Sequence, residues 1–342
     1  MINRYKGQSK PLIQVKNFSY SFDKDTLNPA VKDVNFSLYP NEFIGIIGES
    51  GSGKSVTAKA ILQLNTSHGF AHEEGEILYG ETNLLKLSEE QIRKIRGREI
   101  AIVFQDPMTY LNPTATIGSQ IDETLAHHFP HFSHTEIYSK TLDLLKLVEL
   151  SNAEIIYRQY PHELSGGMRQ RVMIAIALAP NPRVFIADEI TTALDVTIQH
   201  EILNLLKRLQ ATLAMSIIFI THDLSIISTF ASRVIVMYQG SIVESGNSKD
   251  VCKAPLHPYT KALIGAIPRL SMDKNSRLEV MHILADATKT GCIFYNKCLY
   301  SQEICKSFSP LISEDKQRSV LCHFPLKKVE VDKESVCQTY PS

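Results

Sequence analysis

The sequence has no surplus of charge: its 342 residues carry 36 Lys and Arg against 36 Asp and Glu. Such a balance gives no reason to expect a basic surface for nucleic acid or anionic lipid. It has no uninterrupted apolar run near the roughly 18 residues that a membrane span needs. Its first residues, MINRYKGQSKPLIQV, lack the apolar stretch of a secretory signal. No internal repeat, low-complexity tract or sustained heptad pattern is visible. The expectation is a soluble cytosolic chain, free to attach to a membrane protein. In such a reducing compartment structural disulfides are not expected.

What is present is a globular composition, 44% hydrophobic and 21% charged. Short apolar runs alternate with helical patterns from about residue 12 to 245. FIGII (43–47), REIAIVF (98–104), RVFIA (183–187) and SIIFI (216–220) read as strands. RVIVMY and SIVES, on either side of Gln239-Gly240, read as a hairpin. Ser88 with Gln91, and Ser133 with Glu136, have the spacing of capping boxes. Ile198, Ile202, Leu205 and Leu209 mark the buried face of a helix over 196–213. Nearly continuous apolar strands separated by helices predict an α/β fold whose sheet is covered on both faces. The polar stretch GNSKDVCKAP (246–255) suggests a boundary.

GESGSGKS, Gly48 to Ser55, matches G-x-x-x-x-G-K-[ST] and lies between a strand and a helix, as a phosphate loop must. Its glycines let successive N–H groups point at phosphate oxygens, and the helix N-terminus adds positive charge. The expected ATP-binding residues are Gly48, Glu49, Ser50, Gly51, Ser52, Gly53, Lys54, Ser55 and Val56. Lys54 would reach the β- and γ-phosphates and the Ser55 hydroxyl would ligate Mg²⁺. RVFIADE supplies the acidic half: Asp188 for the Mg²⁺ shell and Glu189 to activate water.

Between these halves stands LSGGMRQR, Leu164 to Arg171. Here, and over about residues 12–265, the chain resembles the nucleotide-binding subunits of ATP-binding cassette (ABC) transporters. That family's signature is LSGG at a helix start; Met168 replaces the commoner glutamine after it. The resemblance implies a P-loop NTPase fold with a RecA-like core, an antiparallel β subdomain and a helical subdomain at about 106–160. It also implies that Ser165, Gly166, Gly167 and Gln170 act on ATP bound by the other subunit of a head-to-tail dimer. By the same resemblance Gln105 matches the Q-loop and a Mg²⁺ contact, Asp195 in TALD the dimer-crossing D-loop, and His222 the switch histidine. Phe22 falls at the adenine-stacking position, although it or its neighbour Tyr20 could equally be core. Ile190 replaces a usual proline.

Relatives in DNA repair insert long coiled coils between phosphate loop and signature; only residues 56–163 separate them here. Translation-factor relatives carry two cassettes in one chain, and this chain has one of each motif. FQDPMTYLNP (104–113, with Tyr110 where serine is usual) and HPYTKALIGAIP (257–268) resemble the ATPase subunits of oligopeptide, dipeptide and nickel importers. That resemblance implies an ATPase domain at 12–255, a C-terminal extension at 256–330 and a disordered tail at 331–342. It implies a peripheral protein of the cytoplasmic membrane face. Its partners would be a second, different ATPase subunit, two transmembrane permeases and, indirectly, an extracytoplasmic peptide-binding protein, with no nucleic acid. Ile117, Ile121, Leu125, Leu144 and Leu145 either face the permeases or pack the helical lobe itself. The expected function is ATP-driven peptide import. A nickel importer of the same group is the alternative, and a soluble ATPase acting on nucleic acid or the ribosome is more remote.

Cys292, Cys298, Cys305 and Cys322 cluster in the extension, with Cys252 and Cys337 outside the group. Four thiolates suit Zn²⁺ or an iron–sulfur cluster, and their spacing is looser than the ~2–4 residues between paired zinc-finger cysteines. Some similar importer subunits carry a [4Fe–4S] cluster, which favours that assignment here, in a structural role.

Overall fold

Every residue of β3 (Phe43–Ile47), β7 (Val184–Asp188) and β8 (Ser216–Thr221) is buried. In this computed structural model, which describes residues 10–22, 29–65, 72–104, 110–192, 194–266, 291–315 and 318–326, they lie side by side in one sheet. β6 (Ile100–Val103) and β9 (Arg233–Tyr238) flank them, and all neighbouring pairs among these five run parallel. Side chains alternate between faces. Phe43, Ile47, Phe185, Phe219 and Ile217 join one apolar cluster; Ile44, Ile46, Val184, Ile186, Ile218 and Ile220 join another. Two-sided burial is what the unbroken apolar strands require.

The first cluster is covered by three helices: α6 (Gly166–Leu178), α7 (Val196–Leu213) and α8 (Leu224–Phe230). The second lies under α1 (Lys54–Ile61) and a smaller antiparallel sheet. That sheet has the order β2-β1-β4-β5 among the described residues, with β1 Ile13–Ser21, β2 Val31–Leu38, β4 His72–Tyr79 and β5 Thr82–Asn83. Both capping boxes form, at α2 (Glu89–Arg93) and α4 (His134–Leu147). α7 spans the expected residues, and β9 and β10 (Ser241–Asn247) form the expected hairpin.

α3 (Ile117–His128), α4 and α5 (Ala153–Arg158) pack together. Ile117, Ile121, Leu125 and Leu145 are buried in their shared core and Leu144 is partly buried. These positions therefore pack the helical lobe. Asp122 on α3 ties it by accepting hydrogen bonds from Thr141 and Tyr157 on its two neighbours.

The C-terminal region adds strands to the large sheet. β12 (Arg318–Leu321) pairs antiparallel with β10, and β11 (Ile312–Asp315) with β12, so the large sheet continues into the C-terminal region. The junction is held by Glu244, fully buried on β10. It accepts from the Leu256 and His257 N–H groups, each at 2.9 Å, and pairs with Arg318. Among the described residues no helix is long and apolar enough to cross a membrane. Gln105, Ala193, Cys337 and the 331–342 tail lie outside them.

Candidate nucleotide site

The pairing register sets Ile47 beside Thr221, and Asp188 beside Ile220. The carboxyl ends of β3, β7 and β8 therefore form a row, and the residues that follow each strand converge at one edge of the sheet. The phosphate loop follows β3. Gly53, with φ 96°, opens α1 in a conformation that favours glycine, and a Cβ there would lie 2.8 Å from the Ala30 carbonyl oxygen. The β9–β10 turn presses on the same loop, with the Gly240 N–H donating to the Ser52 carbonyl at 3.1 Å. Ser52 and Lys54 are buried, whereas Glu49, Ser50 and Gly51 are exposed. Val56 turns its side chain toward the second apolar cluster, leaving its backbone to the loop.

Lys54 is almost wholly buried, and its ammonium donates to the Gly48 and Glu49 carbonyls at 2.9 Å each. It stands 3.7 Å from the Glu189 carboxylate. Burial lowers its pKa, opposed chiefly by the charges of Glu189 and Asp188. The Ser55 hydroxyl donates to Asp188 at 2.8 Å. Burial raises the Asp188 pKa, while the Ser55 bond pulls it down. A hydroxyl and a carboxylate converging beside the phosphate loop are the hard oxygen donors that Mg²⁺ takes next to a phosphate.

Glu189 has φ 53°, a left-handed conformation uncommon for a residue with a Cβ. It is fixed there by its own N–H donating to the Ile220 carbonyl at 3.0 Å and by Ile190 behind it, which is fully buried. Ile190 thus anchors this turn by packing, in place of the stiffness a proline would supply. His222 is exposed just past β8; next to it Asp223 caps α8, accepting from the Ser225 N–H at 2.8 Å. Phe22 is 49% exposed, while Tyr20 is fully buried, its ring edge-on to Phe22 at 5.1 Å. The pair therefore divides into one core residue and one free aromatic face.

The signature lies elsewhere, at the start of α6. Ser165 is exposed and caps the helix, accepting from the Met168 N–H at 3.3 Å. Gly166 is exposed, and a Cβ on Gly167 would come within 2.8 Å of Ile198 on α7. Asp195 caps α7 through the Ile198 N–H at 2.9 Å. Signature and TALD segment are therefore packed together at adjoining helix starts. Gln170 departs from expectation: it is 1% exposed, and its Nε2 has no hydrogen-bond partner. One turn into α6 its position faces the interior rather than the surface that carries Ser165.

The four extension cysteines line one pocket together with His257 and Phe294. Burial pushes the Cys292 and Cys298 thiols up, and Cys322 to about 11. Among the described residues, however, no three His, Cys, Asp or Glu side chains are close enough to share one ion. The expectation of a metal site is met only as far as a common pocket. A zinc ion, with Zn–S near 2.3 Å, needs its sulfurs nearly in contact; a cubane cluster takes its ligands at separate corners.

One part of the site was not foreseen. The Tyr259 hydroxyl, carried by α10 (Pro258–Gly265), accepts from the Glu49 N–H at 3.0 Å, and Lys297 lies 3.9 Å from the Glu49 carboxylate. The HPYT stretch held the only hint, a tyrosine next to His-Pro at a helix start.

A buried parallel sheet with a phosphate loop, an acidic strand end and a separate LSGG helix defines the ATP-binding cassette class of ATPases. The comparisons agree. The ABC transporter family profile matches residues 31–192, and the oligopeptide/dipeptide transporter C-terminal region profile matches 243–305. A dipeptide transport ATP-binding protein, DppD, of Haemophilus influenzae is 44% identical over 93% of this chain and 96% of its own length. The oligopeptide transport ATP-binding protein AppD of Bacillus subtilis is 43% identical over 91% and 96%. A dimeric ATP-binding cassette solved in a post-hydrolysis state with ADP and Pi superimposes with TM-score 0.61 at 31% identity, over 69% of this chain and 98% of that one. The chain is an ATPase and belongs to the ABC transporter ATP-binding subunits that carry the oligopeptide/dipeptide C-terminal region.

Proposed function

We propose that this chain is the ATP-hydrolysing subunit of an importer for di- and oligopeptides, acting at the cytoplasmic face of the membrane. The observation that carries the reading is the joint presence of the Lys54–Ser55–Asp188–Glu189 constellation and the peptide-transporter C-terminal region on one sheet. On this reading residues 12–255 form the ATPase domain, about 106–160 its helical lobe, and 256–330 the extension. A second, different ATPase subunit completes the site, and two permeases dock on the pair. An extracytoplasmic binding protein delivers peptide.

The loop Gly48–Val56 holds the phosphates, Phe22 stacks on the base, and Ser55, Asp188 and Gln105 ligate Mg²⁺. Bound there, Mg²⁺ would neutralise charge on the phosphate oxygens. Lys54 keeps the Gly48 carbonyl and gives up that of Glu49 to meet the γ-phosphate, an exchange favoured because a buried ammonium gains more from an anion than from a carbonyl dipole. Glu189, freed from Lys54, accepts a proton from water as the water oxygen attacks the γ-phosphorus and the bond to the bridging oxygen breaks, releasing ADP, and His222 hydrogen-bonds the transferred group. Ser165, Gly166 and Gly167 close over the partner's ATP, with Asp195 at the interface, and exclude water. Gln170 braces α6 from within and takes no part in that contact.

Cys292, Cys298, Cys305 and Cys322 would hold a [4Fe–4S] cluster, which at this position staples the extension. What supports a shared ligand is that all four cysteines line one pocket, with Zn²⁺ as the alternative. Anaerobic purification should yield about four irons per chain. Stoichiometric zinc, or four freely titrating thiols in metal-free native protein, would end that assignment. For the main reading the test is co-purification. The chain should bring down a second ATPase and two membrane proteins, whereas DNA or ribosomes with no membrane partner would reject it.

A further inference from the structure

The peptide plane between Gly48 and Glu49 is held at both ends. Its carbonyl, that of Gly48, accepts the Lys54 ammonium at 2.9 Å; its N–H, that of Glu49, donates to the Tyr259 hydroxyl at 3.0 Å. A peptide unit is rigid and planar, so fixing its N–H direction fixes its carbonyl direction. From this we infer that Tyr259 is a positioning residue for the nucleotide site: its hydroxyl orients the plane that aims Lys54. The inference rests on the reading of Gly48–Ser55 as the ATP loop.

Tyr259 is suited to this. It is fully buried, 210 positions from Glu49 in sequence, and wedged between Tyr238 (ring centroids 4.6 Å) and Phe294 (5.6 Å). The Tyr259 N–H donates to the His257 imidazole at 3.0 Å, and the His257 N–H to Glu244 at 2.9 Å. Its backbone is thus tied to the sheet. Phe294 belongs to the segment that carries Cys292 and Cys298, so the extension supplies both the hydroxyl and one wall of its socket. Burial also raises the phenol pKa, so the hydroxyl stays neutral at physiological pH.

Tyr259→Phe removes one oxygen and keeps the ring. In the full chain assembled with its membrane partners, the KM for ATP should rise about three- to tenfold, the range of one neutral hydrogen bond, with a smaller change in kcat. The dissociation constant of a fluorescent ATP analogue should rise in parallel. Lys297→Ala should change KM by about twofold at most, since that pair is long and partly exposed. A purely packing role lowers melting temperature and leaves KM and analogue affinity at wild-type values, and that result overturns the inference. Wild-type protein with no ATP affinity would instead overturn the nucleotide reading on which it rests.

Discussion

At the scale of single residues the site's chemistry depends on groups held in costly states. Glu189 sits at positive φ, which costs on the order of 1 kcal/mol, and faces a buried ammonium. Both conditions hold its carboxylate toward Lys54 of the phosphate loop. Glu189→Gln keeps the shape and loses the base. Single-turnover hydrolysis should fall by at least about 10²-fold while ATP binding is retained; near wild-type turnover would reject the role. Ser55→Ala should weaken Mg²⁺-dependent nucleotide binding about tenfold and leave Mg²⁺-independent binding nearly unchanged, read by titration with and without the ion. The convergence of Lys54 and Ser55 on Asp188 and Glu189 was legible because each pair is contiguous in sequence at or beyond the end of a buried strand. The burial of Gln170 was not legible because a motif says which residues adjoin, not which face of the helix each occupies. Strand alternation alone would set Tyr20 and Phe22 on one face; they separate because β1 ends at Ser21, which leaves Phe22 exposed beyond the strand.

Among elements, the two joints that matter are α6 against α7 and β10 against the extension. A side chain at 167 would strike Ile198, so Gly167→Val should force the signature helix away from the segment capped by Asp195. Hydrolysis should fall more than tenfold in the assembled complex, with ATP affinity of the isolated chain within about twofold of wild type, because the phosphate loop lies on other elements. At the second joint, Glu244→Ala strands a buried Arg318 and two N–H groups. Urea unfolding should show a loss of about 3–5 kcal/mol. A change within 0.5 kcal/mol would mean that the junction is held by strand pairing alone. The central strands, the β9–β10 hairpin, both capping boxes and α7 were legible because each writes a local periodic or capping signal. β11 and β12 were not. β11 is exposed along its whole length, and its ISED sequence has no burial-driven alternation to reveal it.

For the whole molecule, one continuous sheet joins the C-terminal region to the strands that carry the phosphate loop. One run of strands leads from β6 through β3, which feeds the phosphate loop, to β12 and β11 near the cysteine pocket. The class of protein was legible from the order of motifs, and the branch from the stretches at 104–113 and 257–268. The contact of Tyr259 with Glu49 was not, since nothing local marks residues that distant as neighbours. Peptide uptake by the assembled complex is the direct measurement of the import proposed for this chain. The complex of this chain, its partner ATPase and the permeases should be reconstituted in vesicles with the binding protein. Labelled di- and oligopeptides should then accumulate only with ATP and Mg²⁺ on the side of this subunit, and Glu189→Gln should abolish uptake. ATP-driven accumulation of nickel with no peptide uptake, or hydrolysis stimulated by nucleic acid or ribosomes with no solute movement, would contradict the account.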